Sequence, residues 1–161
     1  MKITKLHIQG FRSLRDVTWQ PGDLNVVIGP NGSGKSNLLA FLELMAVSAQ
    51  GGLGKHVQAL GGMDALVWDG QADAISCEIE SLRSNARTMP EPPQLYLLAL
   101  QRLGHGSAYV ANAELLLGLP DVVAGTPPRY MARNDQSASY MDEDGQFRAV
   151  AAEQLSAEES L

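Results

Sequence analysis

Eight residues, Gly29-Pro30-Asn31-Gly32-Ser33-Gly34-Lys35-Ser36, constrain this chain more than any other stretch. They fit the spacing G-x-x-x-x-G-K-[ST], whose chemistry is the cradling of phosphate. A triphosphate carries several anionic oxygens, and a ring of backbone N–H groups holds them where glycines let the main chain wrap closely. Asn31, Gly32, Ser33 and Gly34 supply that wrap. A helix opening near Gly34 turns its positive end toward the anion. Lys35 has the reach for the β- and γ-phosphates, and the Ser36 hydroxyl has the chemistry of a Mg²⁺ ligand. In a chain of this composition such a match arises by chance with a probability of roughly 0.4 %.

The flanks agree with the loop. Leu24-Asn25-Val26-Val27-Ile28 is a short, β-branched apolar run and predicts a strand buried on both faces. Ser36 to about Ala49 holds neither proline nor glycine and is apolar at Leu38, Leu39, Phe41, Leu42, Leu44 and Met45. It predicts a helix buried over most of its surface.

Upstream, residues 2–9 place Lys5, His7 and Gln9 on one side and Leu6 and Ile8 on the other, the alternation of a strand. Ile3 is out of phase, which leaves a bulge or an edge position open. Gly10 to Leu14 reads as a turn, Arg15 to Trp19 as a second strand, and Pro21-Gly22-Asp23 as the turn into the run before the loop. Downstream, five glycines between 50 and 62 predict a connection rather than an element, and Met63 to Asp69 one helical turn. Ala74 to Leu82 alternates as a half-exposed strand. Leu95–Gln101 and Ser107–Leu116, split by Gly104-His105-Gly106, predict an antiparallel hairpin. Tyr130–Arg133, Ser137–Met141 and Gln146–Val150 predict a further meander, and residues 153–161 are an acidic stretch, helix or loose tail.

The opening, an N-terminal strand, Gly10-Phe11-Arg12-Ser13-Leu14, a short strand, a turn, and then Asn25 through Leu39, resembles RecF/SMC-type ABC ATPases, more narrowly the RecF-like predicted ATPases of the AAA family. The close likeness covers roughly residues 1–45. It implies an α/β fold, the N-terminal lobe of a P-loop NTPase carrying an antiparallel β subdomain. It also implies ATP and Mg²⁺ as cofactors, a homodimer formed on ATP binding, and DNA or a DNA-acting protein as partner, in DNA repair or phage defence. The cofactor set it implies is Asn31 to Ser36, with Asn37 and Arg12. Arg12 is open between a position beside the nucleotide and a solvated turn arginine; Asn37, one residue beyond Ser36, caps or faces the base. One domain over 1–161 is the simplest organisation, with a nucleotide-binding core at 1–50 and a β-rich part at about 70–150.

Hydrolysis needs carboxylates to hold Mg²⁺ and orient water. Leu115 to Asp121 is the sole apolar run ending in an acid, but Gly118 and Pro120 break it and no second acid follows. Leu155-Ser156-Ala157-Glu158 starts like the family's signature and lacks its glycines. The catalytic residues are therefore unknown, and the chain reads either as the N-terminal portion of a longer ATPase or as a binding module without a hydrolytic half. A guanine-reading tetrad is missing, which favours ATP over GTP.

With 161 residues, 45 % of them hydrophobic, there is material for one core, and no run approaches the about 18 residues of a membrane span. One cysteine, Cys77, excludes an internal disulfide and fits the cytoplasm. A net charge of −6 argues against strong DNA binding by this piece alone, with a local basic patch left open. His7, His56 and His105 share no metal-ligand spacing, and Asp142-Glu143-Asp144-Gly145 lacks that of a Ca²⁺ loop.

Overall fold

The structure is a computed structural model that describes residues 2–82, 93–104, 106, 108–118, 129–134, 137–142 and 144–150. Its frame is one eight-stranded sheet: β1 (Lys2–Phe11), β2 (Leu14–Trp19), β3 (Ala74–Leu82), β4 (Gln94–Arg102), β5 (Tyr109–Gly118), β6 (Arg129–Asn134), β7 (Ala138–Met141) and β8 (Phe147–Val150). The order is β2-β1-β3-β4-β5-β6-β7-β8 and every pairing is antiparallel. From β3 onward each strand pairs with the next in sequence, so most of the sheet is built by local return of the chain. The single long excursion, between β2 and β3, carries the Gly29–Ser36 loop, helix α1 (Lys35–Ser48), helix α2 (Leu53–Ala59) and two 3₁₀ turns, Met63–Ala65 and Trp68–Gly70.

Alternation decides which face is covered. Leu6 and Ile8 of β1, Ile75 and Cys77 of β3, and Leu98 and Leu100 of β4 are buried on one side, beneath Phe41 and Leu44 of α1. The other side of β1–β3 is wet and paired: Lys5 Nζ donates to Glu80 Oε1 at 3.1 Å, and His7 Nε2 lies 2.9 Å from Asp16 Oδ1. The out-of-phase Ile3 is a bulge, since register shifts between Ile3 and Lys5 while β1 is interior to the sheet. Farther along the covered face, fully buried Glu114 accepts a hydrogen bond from Tyr96 Oη at 2.7 Å and lies 4.0 Å from Arg133. Burial, then that carboxylate, holds the Tyr96 hydroxyl well above its usual range.

Four expectations are corrected. Leu24–Ile28 is not a strand: it joins no sheet, and Leu24, Val26 and Ile28 are 87 %, 77 % and 86 % exposed. A strand buried on both faces needs hydrogen-bonded neighbours and cover on either side, and none of the described strands pairs with it. Helix α1 forms where expected but is covered along one stripe, Phe41, Leu44 and Ser48, with Leu39 68 % exposed. The glycine-rich connection contains α2, whose Leu53 and Val57 are buried: Gly51 and Gly61, with φ of 74° and 96°, lie outside its ends, while Gly54 is buried within it. Met63 to Asp69 forms two 3₁₀ turns in place of one helical turn. The hairpin and the later meander form as expected. His105, Asp121, Glu143 and residues 151–161 lie outside the described residues.

The excursion is fastened to the sheet by charge. Arg102 of β4 donates to Asp64 Oδ1 at 3.1 Å and to the Gly70 carbonyl at 2.9 Å, while Asp64 Oδ2 accepts the Gly106 N–H at 2.7 Å. Among the described residues no helix is long and apolar enough to cross a membrane.

Candidate functional site

The loop makes a tight turn before the helix. The Ser33 N–H donates to the Pro30 carbonyl at 3.3 Å, and Gly32 and Gly34 both take positive φ, 84° and 92°. Gly34 is the N-cap of α1 and, lacking a side chain, caps no amide; the first turn holds no acid either. The opening N–H groups of α1 thus meet no side-chain acceptor of their own cap, the condition in which a helix terminus takes an external anion. The Ser36 hydroxyl is exposed on this first turn, and Asn31 and Ser33 are exposed on the loop.

Lys35 folds back over the loop. Its ammonium donates to the carbonyls of Gly29 and Pro30, both at 2.7 Å, and to Ser33 Oγ at 3.4 Å. Three protons meet three neutral acceptors, each of which an anionic oxygen outcompetes. Gly29 is needed for space: a Cβ there would sit 2.9 Å from Ser33 Oγ.

Asn37 reaches out of α1, not to a cap: its Nδ2 donates to Ser13 Oγ at 2.7 Å, across the turn between β1 and β2. Arg12, beside Ser13, has φ of 46° and stacks its guanidinium over Phe11, 5.5 Å from the ring centroid. Ser33 and Lys35 therefore meet within the loop, Asn37 meets the β1–β2 turn, and the Arg12 side chain rests on its neighbour's ring. Ser13 was not singled out in the sequence, because a contact across 24 positions leaves no local pattern.

Among the described residues no group of three His, Cys, Asp or Glu could hold a metal ion. Ser36 alone offers one oxygen, which fits Mg²⁺ only as that ion usually binds beside phosphate, with most ligands from water and substrate. His7 is engaged by Asp16, His56 is half-buried in α2, and Trp68 lies under Arg15, 4.9 Å from ring centroid to guanidinium. Asp142 spends its carboxylate on the N–H groups of Asp144 and Gln146 and on Arg148, a self-contained turn.

The family model described as AAA ATPase domain matches residues 1–88. The DNA replication and repair protein RecF of Shewanella piezotolerans is 42 % identical over 48 residues, 29 % of this chain and 13 % of that protein. The RecF protein of Limosilactobacillus reuteri is 26 % identical over 166 aligned positions, 93 % of this chain and 42 % of that protein. The chain spans less than half the length of these relatives. Because the family match covers more than half of its 161 residues, this chain belongs to the AAA ATPase domain family, in a RecF-like form.

Proposed function

We propose that Gly29–Ser36 is a phosphate-binding loop that takes Mg²⁺-ATP, with the backbone from Asn31 to Ser36 and the Lys35 ammonium on the phosphates and Ser36 on the metal. The observation that carries this reading is Lys35 bonded only to neutral acceptors of its own loop, beside a helix terminus with neither a capping side chain nor a first-turn acid. Bound Mg²⁺ would neutralise charge on the β- and γ-oxygens; the chain's own groups bind and orient the nucleotide. Arg12 and Asn37 belong to the same site as its wall from the β1–β2 side. In the complete protein, ATP would join two such lobes and hydrolysis would part them, in service of a partner acting on DNA, as the name of the RecF relatives suggests.

A second reading, a nucleotide-sensing or protein-interaction module without turnover, rests on the sequence, where Leu115–Asp121 is broken by Gly118 and Pro120 and Leu155–Glu158 lacks the signature glycines. One titration of a fluorescent ATP analogue with Mg²⁺, wild type beside Lys35→Ala, with phosphate release followed in the same tubes, tests both. Lys35→Ala is expected to weaken binding roughly tenfold to a hundredfold, the worth of hydrogen bonds to a charged group. Unchanged affinity would overturn the site. Binding without phosphate release supports the sensing reading for this chain, and release supports hydrolysis.

A further inference from the structure

The β1–β2 turn is held from three sides before it meets the loop. Gly10, at φ 74°, presses so closely on β3 that a Cβ would lie 2.4 Å from the Ala74 carbonyl oxygen. The Arg12 N–H donates to the Leu66 carbonyl at 2.7 Å. Phe11, fully buried, meets Phe41 edge-on with ring centroids 5.3 Å apart. The turn is therefore fixed by sheet, excursion and helix together, and Ser13 projects from it at an exposed position.

Helix α1 is gripped at two points of one stripe. Asn37 and Phe41 are four residues apart, and so lie one above the other on the same helix face. Phe41 docks on Phe11, and Asn37 docks on Ser13 Oγ at 2.7 Å. The same hydroxyl stands against Gly34, where a Cβ would come within 2.9 Å of it. One oxygen thus bonds the third residue of α1 and fills the space that a side chain on the N-cap would need. These are the positions that set where the first-turn N–H groups and the root of Lys35 point.

We propose that Ser13 is a positioning residue of the phosphate loop: its hydroxyl, bonded to Asn37 and seated where a side chain on Gly34 would lie, registers the start of α1 against the fixed β1–β2 turn. This rests on the phosphate-loop reading. Phe41 is deep in the core and secures the helix body, whereas Ser13 acts on its first turn, where a small displacement misaims the anion-binding amides. The function of the bond is thus alignment of the site more than stability of the fold.

The test is a double-mutant cycle on Mg²⁺-dependent binding of a fluorescent ATP analogue, with Ser13→Ala, Asn37→Ala and the pair, beside wild type and Lys35→Ala. Each single change is expected to weaken binding about fivefold, the usual worth of one hydrogen bond, and the pair no more than either alone. Competition by inorganic tripolyphosphate should weaken by the same factor, since the defect lies at the phosphates, and Ser13→Thr, which keeps the hydroxyl, should restore affinity. Thermal unfolding without nucleotide should hardly move, because Ser13 is exposed. If binding needs Lys35 but the Ser13 and Asn37 variants bind as wild type, this inference falls and the loop assignment stands. Multiplying effects of the two changes would also overturn it, as would a loss of thermal stability without a loss of affinity. If Lys35→Ala binds as wild type, the loop assignment fails and takes this inference with it.

Discussion

Two stretches that both read as strands, one alternating and one almost continuously apolar, meet opposite fates. Ala74–Leu82 is a strand with Ile75 and Cys77 sealed under α1, while Leu24–Ile28 stands in solvent with no strand beside it. The difference lies in where the partners come from. The strand at 74–82 pairs with β1 on one side and with β4 on the other, β4 being the next strand along the chain. A run apolar at four of its five positions asks for cover on both faces and strands on both edges, and the neighbouring described stretches of this chain return antiparallel elsewhere. Propensity names a strand; partners make one.

Thiol chemistry should show the largest contrast. Burial pushes the Cys77 thiol up to about 12, so native Cys77 is expected to be inert to thiol reagents at pH 8. A Val26→Cys variant in a Cys77→Ala background should react on the order of a thousandfold faster, from the gap between that value and an ordinary thiol. Slow labelling at position 26 would mean that the run is covered in solution, and the comparison would break.

Stability gives the next contrast. Phe41→Ala removes a ring that is 1 % exposed and packed edge-on against Phe11, and should cost about 3–5 kcal/mol in a denaturant melt. Ile28→Ser should cost less than about 0.5 kcal/mol in the same chain, as surface changes do. A cost near that of Phe41→Ala would show the run buried against a partner, such as a second copy.

The smallest effect belongs to the wet face. The hydrogen bond from His7, then that from Gln9, holds the Asp16 carboxyl below its usual range. A group depressed in the folded state lends stability above its unfolded pKa, and that stability is lost as pH falls through the folded value. Asp16→Asn should therefore lower stability slightly at neutral pH, where the wild-type interaction is present, and leave it unchanged below the folded pKa, which flattens the acid limb of a stability-versus-pH curve. A loss that persists undiminished at low pH would mean that the ionised Asp16 carboxylate does not carry the interaction.

These contrasts also mark what the sequence made legible. Half-buried antiparallel strands stamp a period of two on the chain, so β3 could be placed from its alternation, and the β4–β5 hairpin from two apolar runs split by a glycine turn. The turn of Gly29–Ser36 into α1 was legible because its glycines, Lys35 and Ser36 are adjacent. Helix α2 was hidden because glycines at its ends weigh as breakers in a composition window, although Gly51 and Gly61 only terminate structure. Ser13 was hidden because its partner is set by tertiary approach of a turn to a helix. The one-sided cover of α1 was hidden too, since an all-round apolar helix tells what it can bury and not what is there to bury it.

Glu114 has a consequence for how the sheet is assembled. Strand β4 offers leucines to both faces, Leu95 and Leu97 to one and Leu98 and Leu100 to the other, and β5 follows it with Leu115, Leu116 and Leu117. Hydrophobicity alone therefore discriminates poorly between the observed alignment and one shifted by a single residue. A shifted β5 would carry Glu114 to the opposite face and strand Tyr96 and Arg133 without it. The carboxylate works as a watermark: only one alignment of three strands brings it, the phenol and the guanidinium together, so a misthreaded sheet is marked by a charge in the wrong layer.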